Sequence, residues 1–501
     1  MAVITINEIN NTTKLTRVNE NIPVVAIFGT ATWGPFNTPT ELGSTKDLED
    51  TFGISYPANH PYGRILAETY LSKNGGVLFT RIGNTNAAAA SATIDGCITI
   101  TANYAGTQGN NVSVNIIPTT IQSDTYYRIF IYQMVGKASK LLDFGQFTIA
   151  NILAHGTYQN KYITITPIEG LTAETVIPTT YNLFLKGGSD GDDIFVSTKT
   201  EEQQTETNAM VKTIYKIGQE LIDPQLYEFA MIAAPGLSGY KGIASNEAIA
   251  AGGSTMASQL MYIATERKDC IAIIDPFMDS NYAEIRADLG LEDISTPYVA
   301  VFYPWYYADI IKLSTTLLMP PSTFYLTACA TSFQVNKPWH AVAGPLTGTV
   351  NNINKSTKRI GYTQARSINE QYINPITYSR NYGYYLDGNN VLNQQSESRT
   401  YSQLSIRQAI NYTKRELNKI CQVMSYKQNS SLTRAEVLGR VSTLLQALKT
   451  GEAIFEYRAY IDDNNVDLAE GIIHLTVKIY PTPALEEFVF DFEIVNVESA
   501  L

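Results

Sequence analysis

Apolar residues along this chain follow three rhythms. In the first, five short runs are apolar at nearly every position: residues 22–30, 76–82, 229–235, 270–276 and 298–304. A strand covered on both faces reads this way, because both alternating sets of side chains leave water. Helical spacing lies between these runs, at 44–52, 61–72, 208–221, 247–265 (flawed by Gly252 and Gly253) and 281–289, and after Pro320 and Pro321 at 322–334. Strands alternating with helices predict a doubly wound α/β sheet.

The second rhythm occupies residues 84–185. Helical spacing stops there, and Thr, Asn, Ile and Tyr recur in short runs at 97–101, 112–117, 126–132, 162–166 and 181–185. This predicts a β-rich module inserted into the α/β domain, closed by the turn Gly187-Gly-Ser-Asp-Gly191.

The third rhythm organises the end of the chain. Ile406, Ile410, Thr413, Leu417, Ile420 and Met424 form one helical face over 401–425. Val437, Val441, Leu444 and Leu448 form another over 433–449, widened by Leu438 and Leu445. Thr433 and Glu436 have the spacing of a capping box, and Gly451 stands where a helix-ending glycine would. A strand pattern fills 471–480, then Pro481 and Pro483 break the chain. In 487–495, Phe488, Phe490, Phe492 and Ile494 alternate with Val489, Asp491, Glu493 and Val495. A terminal strand with one apolar face needs an edge to pair with, in its own domain or in another molecule. The polar stretch 2–20 holds a short strand pattern at 3–9 and reads as an extended arm. The expected division is an arm at 1–20, an α/β domain at 21–83 and 186–345, a β-rich insertion at 84–185, an α+β domain at 346–486 and a second arm at 487–501.

Length and composition change this picture little. A chain of 501 residues with 44% hydrophobic and 17% charged residues is globular and exceeds one ordinary domain. Its 32 tyrosines suit surfaces that become interfaces, although they serve solvent-facing sheets equally well. Charge is more informative. The net charge is −11, yet residues 351–450 carry 14 Lys and Arg against 5 Asp and Glu. After Gly451, 11 acidic residues face only Arg458 and Lys478. Arg407, Lys414, Arg415 and Lys419 sit off the apolar face of the first C-terminal helix, and Arg434, Arg440 and Lys449 off that of the second. Such rows suit an acidic partner, or simply a solvated helix face. Tyr412 and Tyr426 could stack on bases, but no RRM, KH or OB signature accompanies them and the whole-chain charge opposes nucleic acid.

The search for chemistry is largely negative. No phosphate-binding glycine motif follows a strand. Gly187–Gly191 matches the GxSxG pattern around Ser189, which would make an α/β hydrolase the alternative reading, but acidic, strand-like residues follow it and not a helix. His60, His155, His340 and His474 lack metal-ligand spacing, and Cys97, Cys270, Cys329 and Cys421 form no CxxC pair. Asp275 ends a buried strand, where catalytic acids and helix-start residues both occur. The N-terminus lacks a signal-peptide pattern and no apolar run reaches about 18 residues. A soluble, cytosolically made protein with reduced thiols, no cofactor and no catalytic site is expected.

The order of these features resembles the contractile tail sheath proteins of tailed phages and related contractile injection systems. The resemblance rests on Pro23-Val-Val-Ala-Ile-Phe-Gly-Thr-Ala-Thr-Trp-Gly-Pro35, the Gly187–Gly191 turn, Ile274-Asp-Pro276, Tyr303-Pro-Trp305, Met319-Pro-Pro321, Trp339-His-Ala-Val-Ala-Gly344, Leu448-Lys-Thr-Gly451 and Leu485-Glu-Glu-Phe-Val489. It spans most of the chain except 84–185. It departs at 327–332, where the family has a Gly and an Arg-Asp pair, and at 384–388, where it has Trp-Gly-Ala-Arg-Thr. The resemblance implies a structural subunit forming six-fold rings stacked helically around a tail tube. It implies that the N-terminal arm (Val3, Ile4, Ile6, Ile9) and the C-terminal strand (Phe488, Val489, Phe490, Phe492, Ile494) pair with neighbouring subunits. It implies that one basic helix, drawn from Arg407, Lys414, Arg415, Lys419, Arg434 and Arg440, faces an acidic tube. Tube, baseplate and tail terminator proteins are the implied partners, a virion tail assembled in the host cytoplasm the implied location, and genome delivery by contraction the implied task. No direct contact with nucleic acid or membrane is expected. Insertions in phage sheaths face outward, so 84–185 favours a phage over a compact non-phage injection system.

Overall fold

A computed structural model describes residues 21–83, 86–94, 96–121, 124–195, 200–238, 255–278, 280–291, 294–354, 359–393, 399–461 and 471–486. Both expected arms, with Val3, Ile4, Ile6, Ile9, Phe488, Val489, Phe490, Phe492 and Ile494, lie outside them. Strands β1 (Val25–Gly29), β2 (Thr40–Leu42) and β3 (Val77–Arg81) frame helices α1 (Thr45–Phe52) and α2 (Tyr62–Ser72). Next come β4 (Ala89–Ile94), β5 (Ile98–Ala105), β6 (Val112–Ile121), β7 (Asp124–Val135), β8 (Ala138–Phe147), helix α3 (Ile149–His155), β9 (Tyr158–Gln159), β10 (Ile163–Pro167) and β11 (Thr180–Phe184). The alternation resumes with α4 (Glu201–Leu221), β12 (Met231–Ala233), α5 (Met256–Arg267), β13 (Ile271–Ile274), α6 (Ile285–Asp288) and β14 (Val299–Tyr303). A hairpin of β15 (Tyr306–Ile310) and β16 (Thr315–Met319) leads to α7 (Pro321–Ser332), α8 (Gly344–Thr347), β17 (Thr349–Val350), α9 (Tyr362–Asn369), β18 (Ile373–Ser379) and β19 (Gly383–Leu386). The chain closes with α10 (Leu404–Met424), α11 (Ser431–Thr450), β20 (Ile454–Ile461) and β21 (Leu475–Pro481).

The central sheet has nine strands in the order β17-β19-β18-β14-β13-β12-β1-β3-β2. Pairing is parallel from β3 through β18 and antiparallel at both ends. The five apolar runs contain β1, β3, β12, β13 and β14. Val25 and Ile27 face the core shared with α1, α2 and α7, while Val24, Ala26 and Phe28 face the core shared with α4 and α5. Both faces are covered, so alternation carries no polar signal.

Helix boundaries moved where caps outweighed periodicity. Helix α4 starts at Glu201, not at 208, because Thr200 and Gln203 form a reciprocal capping box ahead of a polar first turn. Helix α5 starts at Met256, where Thr255 and Ser258 form another, and residues 247–254 of the expected helix, with Gly252 and Gly253, lie outside the described residues. The helix expected over 281–289 is only the short α6.

Between β3 and α4 stand two four-stranded antiparallel sheets, β4-β5-β10-β9 and β11-β6-β7-β8, with their own core of Ile98, Ile100, Val114, Ile116, Ile129, Ile131, Ile163 and Ile165. Buried Arg81 ties this module to the α/β layer. Its guanidinium donates to the carbonyls of Gly34 and Ala105, both at 2.8 Å, and lies 3.8 Å from the centre of the Phe36 ring. Desolvation pulls its pKa down to about 10, opposed by the Asp190 carboxylate 3.7 Å away.

Asp275, at the end of β13, is a helix cap supplied from a distance. Pro320 offers α7 no side-chain cap. The fully buried Asp275 carboxylate instead accepts from the Ser322 amide and hydroxyl, both at 2.7 Å, and from the Gly236 amide at 2.9 Å. Burial raises its pKa from 3.8 to about 6, against the lowering effect of those three donors. Asp275→Ala leaves three buried donors without an acceptor and is expected to cost at least about 2 kcal/mol. Between pH 4 and 6 the folded chain holds the Asp275 proton more tightly than the unfolded chain, so this group contributes less stability as pH rises. Denaturant titrations across that range should show the gap between wild type and Asp275→Ala narrowing with increasing pH. A gap that widens would contradict the raised pKa.

Candidate functional site: a helix pair on an open sheet

Helix α10 lies across the starts of β12 and β13. Backbone carbonyls at a strand start need donors, and the polar side of α10 supplies them. Asn411 donates to the Cys270 carbonyl at 3.2 Å, Lys414 to the Lys268 carbonyl at 2.9 Å, and Arg415 to the Asp269 carbonyl. Gln408 donates to the Tyr325 hydroxyl at 3.0 Å. Lys419 pairs with Glu228 at 3.0 Å and with Glu416 at 2.9 Å, and the Arg407 guanidinium sits 5.3 Å from the centre of the Tyr298 ring. Desolvation lowers the pKa of both Arg407 and Arg415.

The expected basic row of α10 is thus engaged within the subunit, although Lys419 stays exposed. Arg407, Lys414, Arg415 and Lys419 are turned onto their own α/β layer, because its strand starts and Glu228 are the nearest acceptors. On α11, Arg434 is also buried. It donates to Asn429 Oδ1 at 2.9 Å and to the Ile472 carbonyl at 3.0 Å, fastening the chain before β21 to the start of α11. Arg440 is exposed but bonds Glu436, which also binds Lys427, both at 2.9 Å. The two bases hold the Glu436 carboxyl below its usual range.

The ends of α11 differ from the sequence reading. The N-cap is Ser430, whose side chain accepts from the Thr433 amide, so Thr433 and Glu436 form no capping box. Gly451 has φ −86°, and the left-handed residue is Glu452 at φ 60°. Glycine is needed at 451 for space. A Cβ there would lie 2.8 Å from Trp339 Cζ2, and Trp339 Nε1 donates to the Gly451 carbonyl at 2.7 Å.

Helices α10 and α11 share a small core of Ala409, Met424, Val437, Val441, Leu445 and Leu448 with β20 and β21. Those two strands form an isolated antiparallel sheet, with no further strand beside either among the described residues. Its inward row (Tyr457, Ala459, Ile461, Leu475, Val477, Ile479) is only half-buried. Strand β20 was missed in the sequence, although Tyr457, Ala459 and Ile461 alternate with Glu456, Arg458 and Tyr460.

The exits toward both arms are fixed. Gln403, at the start of α10, accepts from the Ala484 amide at 2.9 Å and donates to its carbonyl at 3.2 Å and to Glu486 Oε1 at 2.8 Å. Residues 484–486 border a cavity of about 260 Å³ lined by Ala341, Ala343, Gly344, Asn369 and residues 387–390. Asn21 accepts from Lys337 at 3.1 Å, two residues before Trp339. No sequence signal marked Gln403 or Lys337 for these contacts.

Candidate catalytic residues are structural here. Ser189 bridges Ala88 through two backbone bonds of 2.9 Å, its hydroxyl accepts from the Gly191 amide, and no helix opens after it. Asp190 accepts from Thr107, so the Gly187–Gly191 run is a seam between layers, not a nucleophile elbow. Burial pushes the thiols of Cys270 and Cys329 up to about 12, which makes them inert. Among the described residues no cluster of His, Cys, Asp or Glu could hold a metal, and no helix is long and apolar enough to cross a membrane.

This architecture, a central α/β layer with a helix pair and a two-stranded sheet at its end, has the fold of the sheath proteins of contractile tails and injection systems. The crystal structures of sheath tail proteins from Desulfitobacterium hafniense and Listeria innocua match it with TM-scores of 0.57 and 0.58, each at 14% identity. The first match covers 95% of this chain and 96% of that one, the second 92% and 96%. The contracted sheath complex of an extracellular contractile injection system, PVC, matches at a TM-score of 0.54 and 12% identity, covering 100% of this chain and 98% of its own. In sequence, the chain is similar to the tail sheath protein of Enterobacteria phage T4, 22% identical over 228 residues, which is 42% of this chain. The match spans 34% of that relative's length, about a third. No family model matches the chain.

Gly451→Ala is expected to destabilise the protein by about 1–3 kcal/mol through the clash with Trp339, whereas Glu452→Gly should be neutral or stabilising by up to about 1 kcal/mol by relieving the left-handed strain. Denaturant unfolding of both variants checks the pair. Equal loss in both would overturn the assignment.

Proposed function

We propose that this chain is the structural subunit of a contractile phage tail sheath. It polymerises as stacked six-fold rings around a tail tube and contracts to drive the tube through the host envelope during genome delivery. The observation that carries this reading is the open β20–β21 sheet. Two strands alone are marginal, both outer edges are available among the described residues, and the inward row is half-buried. A third and a fourth strand would cover that row. The terminal segment 487–495 has the required alternation and 3–9 has a short strand pattern, and the roots of both arms are anchored nearby by Lys337 and Gln403. Exchange of these arms between subunits makes the assembly a homo-oligomer built by β-augmentation. The strand order and the helix layers on both faces support a doubly wound core for each subunit.

The tube-facing surface is proposed on the α10–α11 pair, where Lys419 and Arg440 both stay exposed although each is paired with a glutamate. Tail tube, baseplate and terminator proteins are the proposed partners, in a virion tail assembled in host cytoplasm. A sheath of a non-phage injection system is the second reading, since solved structures of similar fold come from such systems too. The large β-rich module at 89–184 favours the phage.

Purified full-length protein should form hollow tubes in negative-stain micrographs, and a chain ending at Glu486 should sediment as folded monomers. Tubes formed by the truncated chain would refute the exchange of the C-terminal strand.

A further inference from the structure

The outer face of the β20–β21 sheet carries an unfavourable pair. Arg458 lies directly opposite Lys478 in the antiparallel register. Both are exposed, and they are the only cations after Gly451, in a tail with 11 acidic residues. Like charges directly opposite in a sheet repel. Neighbouring Glu456 is neutralised by Lys449 at 2.7 Å, yet among the described residues neither Arg458 nor Lys478 has a carboxylate partner. The Arg458 guanidinium lies 5.4 Å from the centre of the Tyr460 ring.

We propose that Arg458 and Lys478 receive the carboxylates of Asp491 and Glu493 from the C-terminal segment of a second copy, and so set the register of the exchanged strand. This rests on the strand-exchange reading above. Side chains alternate with a period of two. When Phe488, Phe490, Phe492 and Ile494 join the inward row of Tyr457, Ala459, Leu475, Val477 and Ile479, Asp491 and Glu493 fall on the outer face with Arg458 and Lys478. An added strand lies about 4.8 Å from one edge, so the cation on that edge strand meets a carboxylate directly or diagonally within about 5–8 Å, and the cation on the other strand, about twice the strand spacing away, reaches toward them with its long side chain. A slip of one residue would bury both carboxylates and expose the phenylalanines. The apolar row and the charge row therefore demand the same register. The N-terminal segment 3–9 fits less well, since it offers only Glu8.

The test uses the full-length chain and reads the lowest concentration at which tubes form, by sedimentation and negative-stain microscopy. Arg458→Glu with Lys478→Glu should raise that concentration by on the order of tenfold or more, as should Asp491→Lys with Glu493→Lys. Combining all four substitutions should restore assembly to near the wild-type concentration. Assembly of either reversed pair at the wild-type concentration, or failure of the combined variant to recover, overturns the proposal. The milder Arg458→Gln with Lys478→Gln keeps the test valid if a reversal harms folding. Its tubes should need several-fold more protein, and no change counts against the proposal. The chain ending at Glu486 separates the two readings. If it stays monomeric while the reversed pairs assemble normally, strand exchange stands and the charge pairing falls. If it forms tubes, strand exchange itself falls.

Discussion

The seat of α10 on the strand starts of the central sheet fixes everything that follows it in the chain. Parallel strands begin with carbonyls that no ladder partner satisfies, and burying them unpaired is costly. Asn411, Lys414 and Arg415 meet those at residues 268–270. This spends the polar side of α10 inward and turns Ala409, Tyr412, Leu417, Ile420 and Met424 toward α11 and Trp339. A second core can then form there, on which β20 and β21 lie. The same helix begins at Gln403, which holds residues 484–486 as the chain leaves the sheet. One helix thus positions the open sheet and the root of the C-terminal arm relative to each other and to the α/β layer.

The open sheet is the counterpart of that rigidity. Exposed edges in soluble proteins are normally blocked by charge, proline or covering loops. Here Pro481 ends β21, while the edges of β20 and β21 are uncovered among the described residues and the inward row is half in water. Such an edge is a liability in a monomer and an asset in a polymer, where a neighbour's strand completes it.

Much of the fold was legible in the sequence because burial on both faces leaves a run of apolar residues that nothing else mimics. The strands around Val25, Val77, Met231, Ile271 and Val299 were found for that reason. Helix ends were less legible where a cap overruled periodicity. The polar first turn of α4 hides behind Thr200 and Gln203, and Ser430 takes the role expected of Thr433. The basic rows were ambiguous for a different reason. Sequence gives the side of a helix on which Arg415 sits, but not whether that side meets solvent or a row of carbonyls. The charge of α10 follows from the carbonyls it covers. Asp275 was legible as a buried acid and ambiguous between catalysis and capping until Ser322 and Gly236 were seen to donate to it.

On the proposed reading, these energetics place the joints of the assembly. Arg415 and Arg434 are held among backbone carbonyls, and breaking one partner of a buried charged contact costs far more than an exposed pair contributes. The α10–α11 unit therefore moves with the α/β layer as one body. The Arg81 contacts bind the β-rich module to that body in the same way. What remains deformable is the chain between the sheet and the arm, residues 481–486. There Pro481 and Pro483 remove ladder donors, and among the described residues the backbone is held by the neutral amide of Gln403 and by the Thr482 bond to the Ala453 carbonyl at 3.3 Å. Neutral hydrogen bonds contribute about 1 kcal/mol each, small beside a full strand ladder. Rings that rotate against one another would strain this short tether before they stripped the exchanged strand, so neighbours can change their relative orientation while the strand links persist.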